Sequence, residues 1–376
     1  MSIIEVIKRD YNSFLTAIVI FLYGLANIAA KGHFTQIAIV ILSACVVTPS
    51  LLKHIVILNI KMILIFISGL IILISQLFLY PENSIGIIAT ITSFCSIGFI
   101  GLYSGSLYFN IRNVLYFSKN LAYLNFFINL IYICLASDDI DTLSMRFGYG
   151  ILPSALYFFL DYCINKSKVS LSLAILISCL IFIWGSRGCL LVIALFWIVY
   201  GCKKHPLKTF IYIGLILLCS SFLISNLSSL IDILPVESYK LRKMSMTLNE
   251  GLIAASSGRD VLYEFYWNKF MTNLWGFGAG CMYQFDMNYP HNLFIQIAVE
   301  FGVIGLILLC FYIIYVWRVI FRQHGNLAFY MIMIFALTFG RLLVSSNFWD
   351  RPEFWFLMSL VFTNPTLKNR KKIITC

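Results

Sequence analysis

Long apolar runs separated by short polar linkers are the feature that most constrains this chain. A helix needs about 20 mostly apolar residues to cross about 30 Å of hydrocarbon. Because lipid offers no water to an exposed backbone, and no alternating barrel pattern is present, the runs are predicted to be helices. The sequence therefore predicts an all-α integral membrane protein of about 12 transmembrane helices. The runs are 13–30, 34–52, 62–80, 84–103, 114–135, 148–164, 169–185, 188–202, 208–226, 292–317, 326–346 and 353–366.

Composition excludes several other classes of protein. The chain is 61% hydrophobic and 11% charged, against about 25% charged residues in soluble domains. Its net charge of +11 does not indicate a nucleic-acid partner, because lysine and arginine are not gathered on one soluble face. The 11 cysteines form no CxxC motif and no metal-ligand spacing with histidine. We therefore expect no nucleic-acid partner, no metal and no cofactor.

The distribution of basic residues predicts the orientation of the helices. Cytoplasmic loops of membrane proteins are enriched in lysine and arginine. Basic residues fall in alternate loops when both termini are cytoplasmic, so we predict this orientation. The number of apolar runs predicts one polytopic membrane domain over residues 1–376. They are Lys8, Arg9, Lys53, Lys61, Arg112, Lys166, Lys168, Lys203, Lys204, Lys208, Arg318, Arg322, Lys368, Arg370, Lys371 and Lys372.

One apolar run, from Ser170 to Cys202, is too long for a single span and has Arg187 as its only charge. A single helix of this length would extend roughly 50 Å. We predict a hairpin that breaks at residues 185–188, with Arg187 at its outer tip.

The segment from Leu227 to His291 lacks a spanning run and is predicted to be one large periplasmic loop. Within it, residues 236–252 have a helical composition. A second helix is predicted to start at Ser257, where Asp260 follows at capping-box spacing. Residues 275–280, Trp-Gly-Phe-Gly-Ala-Gly, indicate a turn.

Three groups are predicted to lie near the outer membrane interface: Arg187, Arg259 and His291. If Ser257 caps a helix, Arg259 lies in the first turn beside unpaired backbone N–H groups, and together they would bind an anion. Phosphate suits this site, because the arginine fork binds two phosphate oxygens at once.

These residues resemble a known signature. Gly258-Arg259, the turn at 275–280, the sequence Pro-His-Asn-Leu at 290–293 and Glu-Phe-Gly-Val-Ile-Gly at 300–305 are similar to motifs of the O-antigen polymerase and O-antigen ligase superfamily. Gly-Ser-Arg-Gly at 185–188 resembles its other marker. The layout of many spans with one large outer loop late in the chain also fits this superfamily.

The resemblance implies a C-type glycosyltransferase bundle in the bacterial inner membrane. Such an enzyme moves glycan from undecaprenyl pyrophosphate to an acceptor hydroxyl without a metal, and its pathway partners include a flippase and a chain-length regulator. Arg187 and Arg259 would bind the pyrophosphate and stabilise the leaving group. His291, with an ordinary pKa of about 6.5, would orient or deprotonate the acceptor.

The resemblance implies further roles around these three catalytic candidates. Asn292 would also bind substrate, while Glu300, Gly276 and Gly278 would support the site. Arg341 is a further substrate-binding candidate from its position near the outer end of the eleventh predicted span, where it would extend the cationic site. Among the possible activities, polymerase is favoured, with a lipid-linked repeat unit as the acceptor.

Several alternatives remain open at this stage. An O-antigen ligase would transfer the glycan to lipid A-core. A flippase or other transporter would suit twelve spans, but no paired half-repeats or broken midplane helices are visible in the sequence. Arg187 would also serve as an anchor to lipid headgroups. A structural Arg341–Asp350 ion pair is the alternative to a substrate contact.

Overall fold

The computed structural model describes most of the chain as helices. The largest part without a description lies between residues 211 and 259, so the ninth predicted span, the predicted helix at 236–252 and the Ser257 cap lie outside the described residues. The described residues are 7, 10–26, 34–54, 59–135, 140–184, 186–209, 211, 259–285, 287 and 289–363.

Thirteen α-helices are used here as landmarks in the described part of the chain. Helices α4 and α5 are joined by a π-helical turn at Phe94–Gly98. The helices are α1 (Tyr11–Ala26), α2 (Phe34–His54), α3 (Ile60–Leu79), α4 (Ser84–Ser93), α5 (Phe99–Ser106), α6 (Ile111–Leu135), α7 (Ile140–Asn165), α8 (Lys168–Trp184), α9 (Arg187–Lys204), α10 (Arg259–Thr272), α11 (Leu293–Arg322), α12 (Gly325–Leu342) and α13 (Pro352–Thr363).

Apolar helices confirm the predicted class, an α-helical membrane protein. Within the described residues, five helical segments are long and apolar enough to cross a membrane: Ile60–Leu79, Pro81–Ser106, Met145–Asn165, Leu293–Arg322 and Gly325–Leu342. Helix α3 has a largely exposed apolar surface, including Ile60, Leu64 and Phe78. An apolar surface of this extent suits lipid rather than water.

The chain breaks where the predicted hairpin tip lies. Helix α8 has 17 residues and ends at Trp184, and α9 has 18 residues and begins at Arg187. The Ser186 side chain accepts a hydrogen bond from the Gly188 backbone N–H and so caps α9. The single 50 Å helix is excluded.

Helices α7 and α12 lie at the centre of the bundle, and buried amides join α7 to its neighbours. Asn125 of α6 donates to the Gly150 carbonyl at 2.9 Å and to the Ser154 hydroxyl at 2.8 Å. Asn129 donates to the Asn125 carbonyl at 2.7 Å. Because lipid gives no hydrophobic drive for helix association, such polar contacts contribute to packing.

Helix α11 is interrupted in its first half, at Gly302. Gly302 has φ 66° and ψ −157°, which is not helical, so α11 contains a break that was not visible in the sequence. The interruption leaves the Val299 and Glu300 carbonyls free to accept from the backbone N–H groups of Phe277 (2.8 Å) and Gly278 (3.0 Å). The predicted turn at 275–280, the glycine turn, therefore fills the break with backbone rather than with ion ligands.

The two ends of α9 identify the two ends of the bundle. At one end, a Cβ atom on Gly188 would lie 2.9 Å from Val344, just after α12. At the other end, the Lys203 ammonium donates to the carbonyls of Ile320, Phe321 and Gln323 at 3.0, 3.0 and 2.8 Å. The starts of α9 and α11 and the end of α12 therefore share one end, which we call the site end.

Candidate functional site

Arg259 and His291 meet at the segment that follows α12. Arg259, the first residue of α10, donates from Nη1 to the Val344 carbonyl at 2.6 Å. Tyr289 donates to the next carbonyl, that of Ser345, at 3.1 Å. The Tyr289 and His291 rings lie 4.1 Å apart between centroids. Arg259, Tyr289, His291, Val344 and Ser345 form what we call the loop cluster.

Position 187 lies at the same end of the bundle as the loop cluster. A Cβ atom at Gly188 would lie 2.3 Å from the Tyr149 hydroxyl and 2.9 Å from Cγ2 of Val344, so the start of α9 approaches both residues closely. The backbone of Arg187 therefore begins a helix beside the segment that Arg259 contacts. Arg259 and His291 therefore come together in the fold, and the backbone of Arg187 lies at the same end of the bundle. The catalytic roles of all three residues stay a prediction.

His291 is held in an unusual environment. Its φ of 53° lies in the left-handed region, which is uncommon for residues other than glycine. Burial, and then the positive charge of Arg259, lower the pKa of His291 from 6.5 to about 4, while a backbone hydrogen bond of Ser345 raises it. The expectation of an ordinary pKa is therefore wrong, and the imidazole is neutral at pH 7.

Arg341 lies between two tyrosine rings beside the loop cluster. Its Cζ is 4.1 Å from the ring centroid of Tyr23 and 4.8 Å from that of Tyr149. Arg351 Cζ is 5.1 Å from the same Tyr23 ring. Cations are attracted to the negative faces of aromatic rings. Tyr23, Tyr149, Arg341, Arg351 and Glu353 form what we call the tyrosine cluster.

The alternative of a structural ion pair between Arg341 and Asp350 is not the one that the structure shows, because Arg341 faces Glu353. Arg341 Nη1 lies 3.5 Å from Glu353 Oε1, and both side chains are buried. Asp350 instead accepts hydrogen bonds from Ser93 at 2.8 Å and from Asn347 at 3.3 Å. The 3₁₀ turn Phe348–Asp350 precedes α13, and it is the Glu353 carboxylate of α13 that faces Arg341.

Buried polar atoms without partners are concentrated at the site end. Seven of the fourteen such atoms among the described residues belong to the two clusters and the adjoining Ser346. The desolvation cost of each unsatisfied group is about 1–3 kcal/mol. An environment of this kind suits a polar ligand. The atoms are Tyr149 Oη, His291 Nδ1, Arg341 Nε and Nη2, Ser346 Oγ, Arg351 Nε and Glu353 Oε2.

Asn292 caps the helix that follows His291. Its side-chain oxygen accepts from the backbone N–H groups of Phe294 (2.9 Å) and Ile295 (3.3 Å). The cap fixes the direction in which the chain leaves His291, and only the side-chain nitrogen of Asn292 remains for a ligand.

Glu300 connects three segments beneath the site. Its two carboxylate oxygens accept from Gln296 Nε2 at 2.9 Å and from Trp349 Nε1 at 2.8 Å, and the Gly280 backbone also hydrogen-bonds to it. Gln296 Nε2 also donates to Asn347 Oδ1 at 2.7 Å. These contacts tie α11 to the glycine turn and to the segment that carries Arg351.

Gly276 and Gly278 have positive φ angles of 90° and 87°. A Cβ atom at Gly276 would lie 2.7 Å from the Glu300 carbonyl oxygen, so only glycine allows the glycine turn to reach α11 without strain. The contact holds the glycine turn against α11 at Glu300, which is consistent with the predicted supporting role of Gly276 and Gly278.

Sequence reasoning missed Tyr23, Tyr149 and Glu353 as members of the site. Tyr23 and Tyr149 sit in apolar spans, where tyrosine usually indicates an interfacial belt. Glu353 begins the last apolar run, directly after Arg351-Pro352. A carboxylate at the start of an apolar run was the one sequence feature that could have indicated a partner for a buried arginine.

No group of three or more metal-ligating side chains occurs among the residues that the structure describes. No family model, curated protein or solved structure matches the chain. Inference about function therefore rests on the geometry of the two clusters together with the sequence motifs.

Proposed function

We propose that this protein is an O-antigen polymerase of the bacterial inner membrane. It transfers a growing glycan from undecaprenyl pyrophosphate to a lipid-linked repeat unit at the periplasmic face, with both termini in the cytoplasm. The observation that carries the proposal is the meeting of two cationic clusters, a neutral histidine and seven unpartnered polar atoms at one end of an apolar bundle.

The electrostatics favour an anionic ligand. Arg259 has one carbonyl contact in the loop cluster, and the start of α9 directs backbone N–H groups toward the same end. A diphosphate group would satisfy several of these donors at once. Preorganised donors of this kind can stabilise a transition state by about 3–4 kcal/mol, or roughly 10²–10³ in rate.

In the proposed reaction, the acceptor hydroxyl attacks the anomeric carbon of the donor sugar. The new C–O bond forms as the bond to the diphosphate breaks, and undecaprenyl pyrophosphate leaves with the electron pair. The hydroxyl proton passes to the unpartnered Nδ1 of His291 and then to solvent. Because His291 is neutral before substrate binds, its Nδ1 has a lone pair for this proton, and the negative charge of a bound diphosphate would raise the lowered imidazole pKa.

The decisive experiment complements a deletion strain with variants and displays its lipopolysaccharide ladder. Arg187→Ala, Arg259→Ala and His291→Ala should each lose long-chain glycan by roughly 100-fold while inserting normally in the membrane. Lys269→Ala is the control, because Lys269 lies on the same helix as Arg259 and its ammonium, among the described residues, lies over the rings of Phe265 and Phe285.

The ladder also separates the neighbouring activities. Core carrying a single repeat unit supports a polymerase, whereas naked core with accumulated undecaprenyl-linked polymer would indicate a ligase. Translocation of lipid-linked glycan without chain extension would indicate a transporter. A full ladder in the Arg259 or His291 variant would contradict the assigned residues.

A further inference from the structure

The two cationic clusters are distinct in their surroundings. In the loop cluster, Arg259 contacts the Val344 carbonyl and lowers the pKa of His291. In the tyrosine cluster, Arg341 and Arg351 both lie over the ring of Tyr23. Tyr289 of the loop cluster donates to the Ser345 carbonyl and also lies close to the charges of Arg341 and Arg351, so the two clusters adjoin at Tyr289.

The tyrosine cluster has more positive charge than its own carboxylate balances. Arg341 and Arg351 are close enough for each charge to disfavour the other. Within the described residues, the cluster's own carboxylate is Glu353, and the 3.5 Å contact with Arg341 is long for an ion pair. Arg341 is 2% exposed. A buried guanidinium group with so little compensating charge has a high desolvation cost, unless a bound anion pairs with it.

The unused donors define the chemistry of that ligand. Arg341 Nε and Nη2 and Arg351 Nε have no partner among the described residues. The two guanidinium groups lie over the same Tyr23 ring, so these unpartnered nitrogen atoms belong to one neighbourhood. A phosphoryl group has enough oxygens to accept from both arginines, as arginine forks commonly bind it.

We propose that the tyrosine cluster is a second oxyanion subsite, which binds the phosphoryl group of the lipid-linked acceptor while the loop cluster binds that of the donor. This inference rests on the proposed function, in which both substrates are lipid-linked. It assigns Arg341 and Arg351 to acceptor recognition. A ligase would have no need of this second subsite for an acceptor diphosphate.

The first test counts binding sites without requiring catalysis. The purified full chain is equilibrated with radiolabelled inorganic pyrophosphate, and bound ligand is measured by dialysis. Two pyrophosphates per chain are expected in the wild type. Arg351→Ala should keep only the pyrophosphate of the loop cluster, and Arg259→Ala should keep only that of the tyrosine cluster. Combining the two substitutions should abolish both, and Lys269→Ala should keep two.

Arg351→Ala is preferred because Arg351 is only half-buried, and Arg341→Lys gives a second variant that keeps the charge at the buried position. The lysine variant should retain the site with about tenfold weaker binding, since the bidentate fork is lost. One pyrophosphate per chain in the wild type would overturn the inference. So would loss of the same site in the Arg259 and Arg351 variants.

The second test measures acceptor choice. Glycan transfer is compared between a repeat unit on a lipid diphosphate and the same repeat unit on an alkyl chain without phosphate. Arg351→Ala should reduce the preference for the diphosphate acceptor by about 10–100-fold. If the preference instead follows a carboxylate on the sugar, the phosphoryl assignment is wrong. The number of bound pyrophosphates does not depend on glycan transfer. Two bound pyrophosphates without glycan transfer would therefore contradict the proposed polymerase activity but not the second anion site.

Discussion

Gly302 is the position where one added methyl group should release the glycine turn from α11. In Gly302→Ala, the new Cβ atom would lie 2.2 Å from the Leu274 carbonyl oxygen and 2.5 Å from the Trp275 carbonyl carbon. The backbone angles of φ 66° and ψ −157° are also nearly restricted to glycine. Both effects act on the contact between the glycine turn and α11.

The expected cost follows from these two effects. Holding alanine in this backbone conformation costs about 1–3 kcal/mol. Relief of the clash requires Leu274 to move, which breaks the 2.9 Å hydrogen bond from the Val303 N–H to the Leu274 carbonyl and costs roughly 0.5–1.5 kcal/mol more. We expect the local contact to weaken by about 2–4 kcal/mol.

Cys281, directly after the glycine turn, reports on this opening. It is 2% exposed, and burial raises its pKa well above the usual range, with the Glu300 charge adding to the effect. In a chain where Cys281 is the single cysteine, maleimide labelling requires local opening. A loss of about 2 kcal/mol should accelerate labelling about 30-fold.

Gly325→Ala is the matched control. Gly325 has a similar φ of 64°, but no atom lies within 4 Å of its added Cβ position. It should therefore show the cost of a positive φ alone, without faster labelling of Cys281. Equal labelling rates in the Gly302 and Gly325 variants would refute the proposed role of the α11 break.

Three further perturbations test other parts of the structure. Because the folded-state pKa of His291 is about 4, the unfolded chain binds more protons between pH 6.5 and 4. Stability should fall across that window as pH decreases, by about 1–2 kcal/mol after allowance for partial solvent exposure, and a pH series of Tm should lose this component in His291→Gln. Glu300→Ala leaves two buried donors unpaired and should cost about 2–4 kcal/mol in thermal unfolding, with Glu300→Gln costing less. Lys203→Met removes three charged hydrogen bonds and should lower the free energy of unfolding by about 1.5–3 kcal/mol. Lys204→Met is its control: among the described residues it loses contacts with two aromatic rings, and should cost less than about 1 kcal/mol.

Features that depend on neighbouring residues could be read from the sequence. The break between α8 and α9 follows from a length that no single span accommodates. The turn at 275–280 follows from a glycine pattern that acts within a few residues, whereas the predicted Ser257 cap before α10 lies outside the described residues. The sequence named Arg187, Arg259 and His291 as candidates for a different reason, namely their predicted position near the outer membrane interface and the resemblance of their motifs to a known signature.

Contacts between distant helices were decided only by the tertiary structure. Tyr23 and Tyr149 lie in separate spans, and only the packing of α1 and α7 against α12 places both rings on Arg341. The choice of Glu353 over Asp350 and the lowered pKa of His291 likewise depend on burial and on charges far apart in sequence. The length and composition of apolar runs determine which segments enter a membrane, but many arrangements of the helices bury the same runs. Close packing and the pairing of buried polar groups then select one of them.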